Sequence, residues 1–182
     1  CYKKAILINP DFADFHYNLG NVLNDLGKPY EAIDSFKKVL QILPDNSIAL
    51  FNLGVTLQKL GQLDEAANYY ELATKADPED SDIRVNLGIV YQEFEQFDDA
   101  IEQYKLAIKI EPKATEALNN LGIIHRLIDQ SDKSIKYFEE ALILDPDNEG
   151  IHYNLGFAYQ DLGQVAKAIF HYERSIEQGN HS

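Results

Sequence analysis

Apolar residues recur along the chain at the three- and four-residue spacing that is typical of amphipathic helices. Two such segments fill residues 47–76, and Gly61 separates them. Their apolar positions are Leu50, Leu53, Val55, Leu57 and Leu60 in the first segment and Ala66, Tyr69, Tyr70 and Ala73 in the second. Asp77-Pro78 ends the second segment, because proline cannot continue a helix and disfavours helix at the residue before it. The pattern predicts two helices joined by a short turn.

Short polar side chains stand where the predicted helices begin. Such side chains accept hydrogen bonds from the unpaired backbone N–H groups of a first helical turn. We expect Asp64 to cap the second helix of this stretch. The expected caps of the first helices of successive pairs are Ser47, Ser81 and Thr115.

The pair of segments returns every 34 residues without an insertion. A fixed period of this length is the signature of a stacked repeat protein. Each repeat aligns an Asn-Leu-Gly triplet, an alanine or serine, an aromatic residue, a small residue and a proline. The aromatic column is Tyr2, Phe36, Tyr70, Tyr104, Phe138 and Tyr172, and the glycine column is Gly20, Gly54, Gly88, Gly122 and Gly156. Glycine inside a helix costs roughly 1 kcal/mol against alanine, so we expect a second helix to pass close to each glycine with its aromatic residue.

A 34-residue period with Leu-Gly, alanine, an aromatic, alanine and proline resembles the tetratricopeptide repeat (TPR) family. The resemblance places the second helix of a truncated repeat at 1–12, followed by repeats at 13–46, 47–80, 81–114, 115–148 and 149–182, all in one continuous domain. It implies an all-α fold, a right-handed superhelical α-solenoid of antiparallel helix pairs whose first helices line the concave wall. Glu95 and Asp129 replace the glycine between the helices, and His125 stands where two other repeats have tyrosine.

Composition excludes several classes of partner. The chain has 182 residues, is 45% hydrophobic and carries a net charge of -14, which argues against nucleic acid and anionic membrane surfaces. The sequence contains no apolar run of membrane-spanning length and no signal-peptide pattern. The single cysteine, Cys1, leaves the compartment open and favours a cytoplasmic one, and the absence of methionine indicates a fragment or a processed chain.

The sequence carries no recognisable catalytic, metal or cofactor motif, such as a Gly-rich phosphate loop or a Gly-x-Ser-x-Gly elbow. His16 and His152 share a repeat column but stand four repeats apart, too far to ligate one metal ion. We expect His125 to be a packed imidazole, and His171 and His181 to be surface residues. The sequence therefore predicts a chain that is not an enzyme and uses no cofactor.

A column of asparagines is the candidate binding site. We call it the asparagine ladder; its members are Asn18, Asn52, Asn86, Asn120 and Asn154. Each lies one residue before a packed leucine, about 100° around the helix. On the family geometry the amide faces the concave groove, where it can pair with both the C=O and the N–H of an extended peptide. This resembles the ladders of peptide-binding TPR proteins, including the repeat arm of the O-linked N-acetylglucosamine transferase. The alternative is that each asparagine bonds its own helix or the adjacent repeat.

Neighbouring columns complete the predicted groove, with Asn52, Asn86 and Asn120 as central rungs. The other predicted peptide-binding residues are Tyr17, Phe51, Val55, Gln58, Ile89, Gln92, Ile123, Arg126, Tyr153 and Phe157. Ordinary packing between repeats is the alternative for the aromatic members. The two-carboxylate clamp of chaperone-binding relatives needs cations where this chain has Tyr17, Asp82 and Asn86. We therefore predict a protein or extended peptide partner that is neutral or basic and carries apolar side chains.

Two other functions remain open at this point. Ile169, Tyr172 and Ile176 on the last predicted helix have no following repeat, so the chain could form a homo-oligomer through uncapped ends as a self-assembling solenoid. The chain could also be the substrate-recruiting arm of a larger enzyme, such as an O-linked N-acetylglucosamine transferase.

Overall fold

The structure, a computed structural model, describes residue 6 and residues 9–179. Within that range it contains ten α-helices and no strand, which confirms the predicted all-α fold. The helices are α1 Ala13–Asp25, α2 Pro29–Ile42, α3 Ser47–Lys59, α4 Leu63–Ala76, α5 Ser81–Glu93, α6 Phe97–Ile110, α7 Thr115–Leu127, α8 Ser131–Leu144, α9 Glu149–Asp161 and α10 Val165–Gly179. More than half of the predicted half-repeat at 1–12, with Tyr2, lies outside the described residues.

The chain forms two compact units, an N-terminal unit that ends at Tyr91 and a C-terminal unit that begins at Gln92. In the N-terminal unit α1 pairs with α2 and α3 with α4; in the C-terminal unit α7 pairs with α8 and α9 with α10. Each of these pairs is joined by a three-residue turn, which folds the second helix back along the first.

The side-chain caps of the first helices do not lie at the residues that the sequence predicted, and α7, which begins at Thr115, has none. Ser47, Ser81 and Thr115 are the first helical residues themselves, so their predicted capping role was wrong. The observed caps are Asn46, Asp80 and Asn148, whose Oδ1 atoms accept from the backbone N–H of Ala49 at 2.8 Å, Ile83 at 3.1 Å and Ile151 at 3.1 Å. In each case the cap precedes the first helical residue, and its oxygen reaches the third N–H beyond it.

Asp64 is also not a cap, because α4 begins at Leu63 and Gln62 precedes it without a side-chain capping bond. The Asp64 carboxylate instead lies in the first turn of α4 together with Glu65. A negative charge there stabilises the positive end of the helix dipole, so the residue type still fits its place.

The glycines of the first helices lie directly against aromatic rings of the second helices, as predicted. A Cβ atom built on Gly20, Gly54, Gly122 or Gly156 would lie 2.6, 2.7, 2.5 or 2.5 Å from Cε1 of Phe36, Tyr70, Phe138 or Tyr172. Contacts that short do not occur, so only glycine permits the two helices to approach this closely. Phe36, Tyr70, Tyr104 and Phe138 are completely buried and form the centre of their units.

The turn between paired helices uses a left-handed residue. Gly27, Gly61 and Gly163 have φ angles of 69°, 73° and 69°. Glu95 and Asp129, which replace glycine there, adopt the same conformation with φ angles of 58°. The turn geometry is thus kept without glycine, at the steric cost of a side chain in a left-handed backbone.

Candidate functional site

Three rungs of the asparagine ladder share one geometry in the N-terminal unit. The Nδ2 atoms of Asn18, Asn52 and Asn86 donate to the backbone carbonyls of Asp14, Ile48 and Asp82, four residues earlier, at 2.8, 2.9 and 2.9 Å. All three side chains are half-buried. The hydrogen bond to the asparagine's own helix, which was the alternative to peptide binding, is therefore present. It fixes the plane of each amide against that helix.

The same geometry leaves part of each amide available. An asparagine amide has two N–H hydrogens and an acceptor oxygen. Asn52 uses its second hydrogen on the hydroxyl of Tyr17 at 3.3 Å. Among residues 9–179, no donor is bound to Oδ1 of Asn18, Asn52 or Asn86, and Asn18 and Asn86 each retain one hydrogen as well. Those two rungs present a donor and an acceptor on one oriented group.

In the C-terminal unit the ladder asparagine Asn154 bonds to a neighbouring helix instead. Asn154 on α9 donates from Nδ2 to Oδ1 of Asn119 on α7 at 3.0 Å. Burial raises the pKa of Tyr104 on α6, and the nearby side chain of Asn120 opposes that rise. Asn119 was visible in the sequence as a neighbour of the ladder, but no pattern indicated that it would accept from the next repeat. The two units therefore do not offer equivalent rungs.

The predicted aromatic walls pack against the aromatic column inside each helix pair. Ring centroids lie 6.1 Å apart for Tyr17 and Phe36, 5.9 Å for Phe51 and Tyr70, and 6.0 Å for Tyr153 and Tyr172. Tyr153 also meets Phe157 edge-on at 4.8 Å. Tyr17 and Phe51 are half-buried and Tyr153 is exposed, so each ring combines a packing role with accessible surface.

The smaller predicted wall residues, Val55, Ile89 and Ile123, are half-buried. Ile123 packs against the apolar core of the C-terminal unit. Gln58 and Gln92 accept hydrogen bonds at Oε1 from the hydroxyls of Tyr70 at 2.8 Å and Tyr104 at 3.2 Å. Their acceptor oxygens therefore satisfy buried tyrosines, a role that the sequence analysis missed.

Arg126 is engaged within the C-terminal unit. Its guanidinium forms an ion pair with Asp161 at 3.5 Å and lies over the ring of Phe157, 5.3 Å from the ring centroid. These contacts fix the side chain and offset its charge, so this predicted site residue contributes little positive field of its own.

A cavity of about 190 Å³ lies beside the first two rungs of the N-terminal unit. It is lined by Ala13, Asp14, Tyr17, Val39, Asn46 and Ile48. Two of these residues, Asp14 and Ile48, supply the carbonyls that hold Asn18 and Asn52. An apolar cavity of roughly 150 Å³ accommodates benzene, so this one has room for a single apolar side chain next to the two oriented amides.

Models of the tetratricopeptide repeat match residues 11–79, 57–122 and 150–181, and a TPR repeat model matches residues 129–163. The chain belongs to the tetratricopeptide repeat family. A search of curated proteins found no match. The predicted family is thus confirmed, and the helix pairs described above are TPR units of an α-solenoid.

Several solved TPR proteins share this fold. MamA from Desulfovibrio magneticus RS-1 is 22% identical with a TM-score of 0.85, covering 93% of this chain and 96% of that chain. YrrB, described as a TPR protein with an unusual peptide-binding site, is 24% identical with a TM-score of 0.79, covering 98% and 92%. PilF of Pseudomonas aeruginosa is 20% identical with a TM-score of 0.82, covering 91% and 76%. At these identities the likeness shows the fold alone.

Two histidines hold the junctions where TPR units begin. Nε2 of His16 lies 2.8 Å from the carbonyl oxygen of Pro10, and Nε2 of His152 lies 3.0 Å from that of Pro146. Both rings are buried. Their shared repeat column therefore reflects a shared structural contact, in which the imidazole ties the first helix to the preceding proline turn.

The remaining described histidines are packed as well. His125 is buried, stacks on Tyr137 with 5.3 Å between centroids, and bonds Gln130 at 3.1 Å, which confirms the expected packed imidazole. The expectation that His171 is a surface residue was wrong. Its Nδ1 lies 3.0 Å from Nδ1 of His152, and its ring stacks on Tyr159. His181 lies outside the described residues.

Burial lowers the pKa of both packed rings. For His125 burial is the largest cause, opposed by the hydrogen bond to Gln130 and assisted by Lys133 and Lys105. For His171 burial again comes first, followed by repulsion from His152. In the part of the chain that the structure describes, no three His, Cys, Asp or Glu side chains are grouped to hold a metal ion. The described helices also include none that is both long and apolar enough to cross a bilayer.

Proposed function

We propose that this TPR chain is a protein-interaction scaffold that binds an extended peptide of a partner in the groove lined by its first helices. The observation that carries the proposal is the shared amide geometry of Asn18, Asn52 and Asn86. Three side chains at equivalent places on α1, α3 and α5 are held in one orientation. The N-terminal unit therefore supplies the main grip.

The orientation of the rungs favours recognition of a peptide backbone. Because one hydrogen of each amide already bonds its own helix, binding a ligand does not require the side chain to give up rotational freedom. Asn18 and Asn86 can then accept from a backbone N–H and donate to a backbone C=O of the ligand. Such pairing is independent of the ligand's side chains, so it provides affinity and little sequence selection.

Side-chain selection comes from the cavity and the charges beside the ladder. The cavity takes one apolar side chain of the peptide between Tyr17 and Ile48. Asp14 lies on its rim, and Asp82 is exposed one turn before Asn86. Negative charge at both places repels an acidic peptide and attracts a basic one. The structural likeness to YrrB, which is described as having a peptide-binding site, supports the proposal at the level of fold.

A peptide library screened by fluorescence anisotropy tests the proposal on three matched proteins. The first is the unmodified chain, the second carries Asn18→Ala and Asn86→Ala, and the third carries Asn68→Ala on α4, where the side chain is exposed and outside the ladder. Each lost amide pairing removes about 1 kcal/mol or more, so we expect the double variant to bind at least about tenfold more weakly. We expect Asn68→Ala to bind normally.

Stability controls accompany the screen. Alanine has a higher helix propensity than asparagine, so both variants should remain helical and unfold at no lower urea concentration than the unmodified chain. Equal binding by the double variant would sink the proposal, and enrichment of acidic peptides would sink its charge component. Self-assembly is the competing function, and light scattering over a concentration series distinguishes it, because a scaffold for a foreign peptide stays monomeric when concentrated.

A further inference from the structure

Most of the tyrosine hydroxyls that hydrogen-bond within residues 9–179 act as donors. Tyr91 donates to Oε1 of Glu71 at 3.0 Å, and Tyr159 donates to Oε1 of Glu139 at 2.9 Å. The described tyrosines of the aromatic column donate to glutamines in the same way. A tyrosine hydroxyl carries one hydrogen, so these bonds use its whole capacity as a donor.

Tyr17 on α1 takes the opposite role. Nδ2 of Asn52 lies 2.9 Å from the carbonyl oxygen of Ile48 and 3.3 Å from the hydroxyl oxygen of Tyr17. Because a carbonyl can only accept, the atom that faces it is the amide nitrogen, and that nitrogen can only donate to the hydroxyl. Among residues 9–179, the hydroxyl hydrogen of Tyr17 has no acceptor. The half-buried hydroxyl therefore keeps a hydrogen for solvent or for a ligand.

The amide of Asn52 lacks the donor that Tyr17 retains. Both of its hydrogens are used, on Ile48 and on Tyr17, so only Oδ1 is available to a ligand. Asn86, the next rung, keeps one hydrogen, because the residue equivalent to Tyr17 is Phe51, which has no hydroxyl. Asn52 alone therefore cannot both donate to and accept from a peptide residue, and the hydroxyl of Tyr17 can supply the missing donor.

The same two positions are bonded in the C-terminal unit. Nδ2 of Asn154 donates to Oδ1 of Asn119 at 3.0 Å, and these residues are 35 positions apart, as Tyr17 and Asn52 are. Asn119 accepts through its oxygen, so its own amide hydrogens remain. In both units the residue that accepts from a rung thus keeps a donor of its own.

The cavity of about 190 Å³ opens beside the pair in the N-terminal unit. Tyr17 and Ile48 line the cavity, and both hydrogen-bond the amide of Asn52. Successive Cα atoms of a peptide are only about 3.8 Å apart. The peptide residue whose side chain enters the cavity is therefore the one whose backbone lies against Tyr17 and Asn52.

We propose that Tyr17 and Asn52 form one subsite for a single apolar residue of the bound peptide. An extended residue points its N–H and C=O to the same side. Oδ1 of Asn52 accepts that N–H, the hydroxyl of Tyr17 donates to that C=O, and the cavity takes the side chain. Proline does not fit this subsite, because it has no N–H. The inference rests on the proposed function and specifies one position of its ligand, an apolar residue other than proline.

Tyr17→Phe tests the hydroxyl, because it keeps the ring that packs 6.1 Å from the ring of Phe36. The probe is the tightest-binding peptide of the library that tests the proposed function, labelled with fluorescein, and its binding to the whole chain is followed by anisotropy. Loss of one neutral hydrogen bond should weaken binding about fivefold. Tyr30→Phe on α2, where the side chain is 68% exposed, is the matched control and should bind normally.

N-methylation of the probe's apolar residue tests the role of Asn52. The methyl group replaces the N–H hydrogen, so binding to the unmodified chain should weaken at least about fivefold. With Asn52→Ala the same N-methylation should have a smaller effect, because the acceptor is already absent. With Asn86→Ala, which removes a rung that faces another residue of the peptide, N-methylation should keep its full effect.

Three results overturn the inference. The first is binding that Tyr17→Phe leaves unchanged or strengthens, since a stronger complex would show that the hydroxyl only occupies the amide of Asn52. The second is an N-methylation loss that is as large with Asn52→Ala as with the unmodified chain. Both leave the proposed function standing if Asn18→Ala/Asn86→Ala weakens binding of the same probe. The third is a library without any binding peptide, which overturns the proposed function as well.

Discussion

The hydroxyl of Tyr104, on a side chain without solvent exposure, donates to Oε1 of Gln92 at 3.2 Å. The same bond joins Tyr70 to Gln58 at 2.8 Å and Tyr172 to Gln160 at 2.7 Å. Where the aromatic residue is phenylalanine, the residue twelve positions earlier is not glutamine. It is Asn24 before Phe36, which donates to Thr56 at 2.8 Å, or Arg126 before Phe138, which pairs with Asp161. The aromatic residue thus decides which side chain its partner position requires.

Replacing Gln92 by alanine should destabilise the chain by about 1–3 kcal/mol, because the buried hydroxyl of Tyr104 loses its acceptor. Adding Tyr104→Phe to Gln92→Ala should recover part of that loss, since the hydroxyl that needed a partner is then absent. Urea unfolding followed by circular dichroism measures both effects. Gln41→Ala, at an exposed position, is the control and should have little effect. A Gln92→Ala variant as stable as the unmodified chain would contradict the role assigned to the pair.

Gly122→Ala should destabilise the chain by about 1–3 kcal/mol, because the new methyl group would overlap the ring of Phe138 and push the helices apart. Gly150→Ala provides the contrast on α9. There the nearest atom, Oδ1 of Asn148, lies at an ordinary contact distance of 3.5 Å. Alanine should stabilise that position by roughly 0.5–1 kcal/mol through its helix propensity. Thermal unfolding of the two variants should shift in opposite directions, and a shift in the same direction would refute the close-approach argument.

Glu95→Gly should stabilise the chain by about 1 kcal/mol, because glycine adopts the left-handed conformation of this turn without strain. Asp129→Gly should give a smaller gain, since aspartate tolerates that conformation better than glutamate. Chemical unfolding measures both, and Glu95→Ala controls for loss of the carboxylate. The alanine variant keeps a side chain at φ near 58°, so it should gain nothing. Equal gains for glycine and alanine would show that charge, not backbone strain, is responsible.

The chain should lose stability as the pH falls below about 6.5, the pKa of an unperturbed histidine. The pKa values of His171 and His125 are lowered in the folded state, so the unfolded chain binds more protons in this window. Stability from these two rings is therefore fully present above that pH and is lost as protons are taken up. Guanidinium unfolding between pH 5.5 and 8 measures the slope.

Substituting both rings should flatten the pH slope. In a His125→Phe/His171→Phe variant, the midpoint of unfolding should vary less across this interval than in the unmodified chain, whatever its absolute stability. A slope that is unchanged in the variant would assign the acid sensitivity to other groups.

The helix pairs and their closest contact were predictable from the sequence because the same pattern recurs in every repeat. One glycine opposite one aromatic ring would be a weak signal, but the alignment of Gly20, Gly54, Gly122 and Gly156 with the aromatic column repeats it. The position of the turn was located in the same way, but its left-handed backbone, which Glu95 and Asp129 also adopt, was not predicted. Repetition reinforces positions that packing and backbone sterics constrain, and these constraints recur identically in each pair.

The features that sequence reasoning missed depend on single local choices or on distant partners. Asn46 and Ser47 can both cap a helix, and a periodic pattern does not fix the first helical residue to within one position. His171 follows an exposed pattern, yet its contacts are His152 and Tyr159 on α9, which only the folded pair brings together. The asparagine column was visible in the sequence. Whether each amide donates to a carbonyl of its own helix depends on the side-chain rotamer, which the sequence does not show.

The contacts of Glu71 with Tyr91 and of Glu139 with Tyr159 have a consequence for how such a chain can evolve. At the equivalent positions between these two contacts the chain has Lys105 and His125 in place of glutamate and tyrosine. Neighbouring repeats are therefore matched by the side chains at these positions. Exchanging residues 81–114 with 115–148 would set Lys105 beneath Tyr159 and His125 above Glu71. Duplicating these repeats or changing their order would therefore break the matched contacts between neighbouring repeats. The contacts are kept only if the order of the repeats is kept.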